Sequence, residues 1–167
     1  MSYSRSILIK NLFWTLLPIA VMGLIFFLSS ESIGASYALT DKPTNFVIIK
    51  ILNMPEKMTD ATFIIQVHNF IRKALHILIF FVMGIFVSFV ISLWFPKTRG
   101  WELFFIALGI CAIFAASDEV HQIFTHRGAL VTDVLLDCIG AAAGAGIAIW
   151  FRRIRNRKRP DISRTAS

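Results

Sequence analysis

Four long apolar stretches punctuate the chain. Residues 12–28 hold no charge, 74–95 hold His76 alone among ionisable side chains, 101–116 carry Glu102 at their start, and 130–150 carry Asp133 and Asp137. A helix advances about 1.5 Å per residue and the hydrocarbon core of a bilayer is about 30 Å thick, so roughly 20 mainly apolar residues make a span. The second and fourth stretches meet that length directly. The first reaches it by extending to Asn11 and Ser29, and the third by continuing into Ser117, Asp118 and beyond. The pattern therefore predicts an all-α fold, a small polytopic membrane bundle of four transmembrane helices near 11–29, 74–95, 101–120 and 130–151. A soluble helical core is the competing architecture, but four such stretches leave too little polar surface to cover it.

The first stretch competes with a signal peptide, since Arg5 and Lys10 precede it and Ser36-Tyr37-Ala38 faintly resembles a cleavage site. Its apolar length exceeds the roughly 7–15 residues usual for such a segment, which favours an uncleaved span. Pro18 is tolerable there because membrane helices accommodate proline. Cys111 and Cys138 lie within apolar stretches at a spacing that suits neither a disulfide framework nor a metal site, and read as small core residues.

Charge sets the expected orientation. Of the formal net charge of +7, the tail 152–167 contributes +6, from seven Lys and Arg against Asp161. Basic flanks remain on the cytoplasmic side, so the C-terminus, the N-terminal segment 1–10 and the connection 96–100 are expected inside. The inner flanks then carry 11 Lys and Arg against 6 outside. A basic tail directly after a span is explained by topology setting and lipid headgroup contact better than by nucleic acid. The outer segment 30–73 includes Thr59-Asp60, which reads as a helix cap, and Phe63, Val67, Phe70 and Ala74 follow at helical spacing. One helix is thus expected from about residue 60 through the second span.

This topology gathers the unusual polar residues at one end. His68, Arg72 and His76 are four apart on one stripe, with Lys73 beside it. Asp118 lies one turn from His121 and Gln122, with Glu119 expected to point elsewhere. His126 and Arg127 follow in the short loop, and Asp133 and Asp137 make a second four-residue stripe. An ionised carboxylate about 10 Å into a span is costly without a partner or water. A polar funnel open outward is the expectation, lined by Arg72, Lys73, His76, Asp118, His121, Arg127, Asp133 and Asp137. The inner halves carry no comparable pathway, which weakens a transporter or proton-channel reading. Gly140 and Gly144 form a small-xxx-small pair suited to close contact with a neighbouring helix, including a partner helix.

These residues resemble the VanZ-like membrane protein family over roughly residues 10–150. Phe26-Phe27-Leu28-Ser29-Ser30-Glu31 is similar to that family's Phe-x-x-Ser-Ser-Gln motif, with glutamate for glutamine. Arg72-Lys73-Ala74-Leu75-His76 is similar to its Arg-Lys-x-x-His signature. Asp118-Glu119-Val120-His121-Gln122, then Phe124, Arg127-Gly128 and Asp133 through Gly140, resembles its most diagnostic block. Ile77 and Thr125-His126 depart from the usual residues without removing a charged member. The resemblance implies a multi-pass protein of a bacterial-type cytoplasmic membrane, with a role near the envelope surface. The family's name comes from an accessory of teicoplanin resistance, which is not thereby transferred to this chain.

Two functional classes follow. In the first, the outer site binds or processes an anionic amphiphile or cell-envelope lipid, with Glu31, Arg72, Lys73, His76, Gln122, Arg127 and Asp133 as ligand-binding candidates. A catalytic version would use His121 as acid or base, oriented by Asp118 or Asp137, although no decisive nucleophile is visible. A metal-dependent version would draw on Asp118, His121, Asp133 and Asp137 for a divalent ion. In the second class the protein is a non-catalytic accessory or structural component, and the ionic cluster stabilises the bundle or recruits a partner.

Overall fold

The computed structural model describes residues 2–30, 41–51, 60–124 and 131–157. Four long helices account for most of them: α1 (Ser2–Ser30), α2 (Ala61–Trp94), α3 (Gly100–Phe124) and α4 (Val131–Arg157). Residues 41–51 form a short helical segment whose second half, Phe46–Ile51, is wound as a π-helix. All four long helices are long and apolar enough to cross a membrane. Large apolar side chains such as Phe13, Phe27, Phe70, Ile113 and Phe124 face outward. An apolar exterior of this extent belongs against lipid, and the chain is a polytopic membrane protein.

The helix boundaries follow local chemistry. Helix α1 runs unbroken through Pro18, and Thr15 Oγ1 donates back to the Asn11 carbonyl at 2.8 Å. Helix α2 starts where expected, after Asp60 in extended conformation. The cap itself differs: the Asp60 side chain makes no capping bond, and its backbone carbonyl accepts from Ile64 N at 3.1 Å. The turn between α2 and α3 closes through Thr98 Oγ1 donating to the Phe95 carbonyl at 2.9 Å. Glu102 accepts from Arg99 N at 3.0 Å, satisfying one of the unpaired amides at the start of α3.

The tightest seam joins α2 to α4. A Cβ added at Gly84 would overlap the Ala141 carbonyl oxygen, one at Gly140 the Ile77 carbonyl oxygen, and one at Gly144 the Phe81 carbonyl oxygen. Only glycine allows two backbones to approach this closely, and close approach is how membrane helices gain dispersion energy without a hydrophobic driving force. Gly140 and Gly144 thus meet a helix of the same chain. Phe80, Met83, Leu103, Ala107, Cys111, Ala141 and Ala145 fill the core around the seam, and Ile25 joins it from α1.

The bundle has two chemically different ends. At one, Trp14 meets Phe89 edge to face with ring centroids 5.2 Å apart, and Trp94 Nε1 donates to Thr15 Oγ1 at 3.0 Å. Trp101 and Trp150 border a groove at this end together with Arg153, so all four tryptophans of the chain sit there. The first turns of α2 and α4 and the last turn of α3 make the other, polar end. There Thr44 Oγ1 lies 3.1 Å from His68 Nδ1 and Asp41 Oδ1 lies 3.5 Å from His68 Nε2. These contacts fasten segment 41–51 to the N-terminal part of α2.

Candidate functional site

The carboxylates of α4 face Lys73 and His76 of α2 beside the glycine seam. Asp133 and Asp137 are one turn apart, as are Lys73 and His76 on α2, and α2 and α4 run parallel, so the two stripes meet in order. Lys73 Nζ donates to Asp133 Oδ1 at 2.5 Å. One turn deeper, His76 Nδ1 lies 3.8 Å from Asp137 Oδ2, an ion-pair contact when the imidazole is protonated. Asp137 is only 4% exposed, so its stability at that depth depends on this neighbour.

Helix α3 supplies the third wall. Gln122 Nε2 donates to Asp118 Oδ2 at 3.0 Å, and both side chains are buried. Arg72, Lys73, His76, Glu119, Gln122, Asp133 and Asp137, with the apolar Leu136, line one narrow cavity between α2, α3 and α4. Its volume is about 20 Å³, room for about one water molecule. Among the described residues, Arg72 has no carboxylate partner, in contrast to Lys73 and His76.

The sequence-derived candidates divide into four groups. Arg72, Lys73, His76, Gln122, Asp133 and Asp137 share the cavity. Asp118 lies behind its wall, buried against Gln122. His121 turns toward α1 and stacks on Phe26, with ring centroids 4.1 Å apart and planes 10° from parallel. Glu31 and Arg127 lie outside the described residues. No group of three or more His, Cys, Asp or Glu among the described residues is arranged to hold a metal ion.

One expectation at this site needs correction. Glu119 does not point elsewhere; it is buried and lines the cavity. Asp118 and Glu119 differ by about 100° around α3, and a helix wedged between two others buries a face wide enough to include both. His68 keeps its place on the stripe with Arg72 and His76, and its side chain is covered by segment 41–51. Thr44 was not legible as a contact of His68, since nothing local links positions 24 residues apart.

The stacking of Phe26 on His121 joins the first sequence motif to the third, and the Lys73–Asp133 pair joins the second to the fourth span. The sequence model of the VanZ/LLP1 family matches residues 13–152, which include every residue of the cavity. The chain belongs to the VanZ/LLP1 family. No curated protein and no solved structure gives a significant match. For this VanZ/LLP1 chain, the buried ionic cluster at the polar end is therefore the feature from which a function has to be argued.

Proposed function

We propose that the polar end binds the anionic head of an envelope amphiphile, with its apolar chain lying along the spans. The observation that carries this reading is Arg72: it borders the cavity without a carboxylate partner among the described residues, beside Lys73 and His76, which each face one. A guanidinium presents directional donors suited to phosphate or carboxylate oxygens. The buried acids Glu119 and Asp137 keep the cavity from being uniformly positive. Recognition by this reading depends on a single aimed donor, with Lys73 and Asp133 holding the wall. The distribution of basic residues supports an orientation with the tryptophan end, both outermost helix termini and the basic tail in the cytoplasm of a bacterial-type cell, and the polar end outside.

A structural reading is favoured by a different observation, the cavity's room for only about one water. In that reading Lys73–Asp133 and His76–Asp137 lock α2 to α4 and the site takes no ligand. Native mass spectrometry in mild detergent separates the two. The wild-type protein should retain a specific phosphorylated or carboxylated amphiphile, and Arg72→Ala should lose it while still eluting as a monodisperse species. Identical lipid retention by both folded proteins would exclude the ligand reading.

A further inference from the structure

A second cavity lies at the opposite end of the bundle and has the reverse character. It holds about 660 Å³ between α1, α2 and α4, with Leu103 of α3 at its wall, within the roughly 300–1,000 Å³ typical of small-molecule sites. Trp14, Phe86, Phe89 and Ile147 make its walls largely apolar. Two polar groups in its lining lack partners. Ser88 is 1% exposed, and its Oγ has no hydrogen-bond partner. Arg152 donates through Nη2 to the Pro96 carbonyl at 2.7 Å, while its Nη1 is buried without an acceptor. Arg155 also lines the cavity, and no carboxylate does among the described residues.

We propose that this cavity binds one acyl chain of an anionic phospholipid from the leaflet at the tryptophan end. The apolar walls take the chain, Arg152 Nη1 and Arg155 take the phosphate, and Ser88 Oγ donates to an ester carbonyl. A buried guanidinium nitrogen and a buried hydroxyl without partners are costly in a low-dielectric setting, and this one ligand satisfies both. A helix from a second copy fits the same groove less well, because its basic flank would bring further positive charge to Arg152 and Arg155. The site is separate from the one proposed for the polar end and does not depend on it.

Trp14 provides a local reporter. In the full-length chain with Trp94, Trp101 and Trp150 changed to Phe, reconstituted in phosphatidylcholine vesicles, tail-brominated phosphatidylglycerol should quench Trp14 at mole fractions at least tenfold lower than tail-brominated phosphatidylcholine. The pair Arg152→Gln and Arg155→Gln should erase that preference, and Ala148→Phe should remove the saturable quenching by filling the groove. Equal quenching by the two lipids, or an undiminished preference in the double arginine variant, would overturn the proposal. If the reporter chain does not fold, native mass spectrometry of the otherwise wild-type protein gives the same decision. There the double arginine variant should lose one bound phosphatidylglycerol, and an unchanged count refutes the site. Changes at Arg72 lie at the far end of α2 and do not alter the Trp14 signal, so this proposal and the polar-end reading fail separately.

Discussion

The two ends of the α2–α4 pair are built from the same helices yet close differently. At the polar end, side chains meet across the interface as Lys73–Asp133 and His76–Asp137 and leave about 20 Å³. At the tryptophan end, about 660 Å³ stays open. The small residues explain the contrast. Gly84, Gly140, Ala141, Gly144 and Ala145 draw the backbones together through the middle, and beyond them Ile147, Phe151 and Ile154 hold the helices apart. In a bilayer, where apolar contact with a neighbour is worth little more than contact with lipid, the placement of small residues decides where a bundle shuts.

The contrast breaks most completely at the seam. Gly144→Leu should cost about 3 kcal/mol or more, because the added atoms meet backbone that can yield only by separating α2 from α4. The expected readout is loss of a monodisperse peak in fluorescence-detected size exclusion. Gly146→Leu, which has nothing within 4 Å of its Cβ position, should leave the peak unchanged. A next smaller effect is expected at the polar end. Lys73→Ala strands Asp133 in a partly buried site and should lower stability by about 1–2 kcal/mol, after allowing for its partial exposure. Adding Asp133→Ala should recover part of that loss, and thermal unfolding of the double-mutant cycle measures the coupling.

The four spans and the start of α2 were legible because run length and helical spacing are local properties. The opposed stripes of Lys73, His76, Asp133 and Asp137 were equally open to inspection, since a step of four residues stays on one face whatever the helix packs against. Glu119 was not, because its burial depends on how deeply α3 wedges between its neighbours. The pairing of His68 with Thr44 and Asp41 depends on where a separate segment lies. The large cavity was hidden for a different reason: empty space is set by the relative positions of bulky side chains on four helices, and no single stretch encodes it.

Smaller changes sharpen the tryptophan end. Ser88→Ala should raise the stability of delipidated protein by about 1 kcal/mol, because it removes a buried hydroxyl that lacks a partner; scanning fluorimetry in detergent checks the sign. Thr15→Val removes the acceptor of the Trp94 indole and should cost about 0.5 kcal/mol. A shift in tryptophan emission without a change of fold would show that α1 has loosened there.

All four tryptophans anchor one end of the bundle. Indole rings settle at the boundary between headgroups and hydrocarbon, so they fix the depth of that end in the membrane. Helix α2, with 34 residues, is about 51 Å long and overshoots an average hydrocarbon core by several turns. A thicker or thinner bilayer must then take up its mismatch at the end without tryptophans. The hydrocarbon edge would slide along α2 past Lys73 and along α4 past Asp133, making lipid composition a control on how much water their ion pair meets.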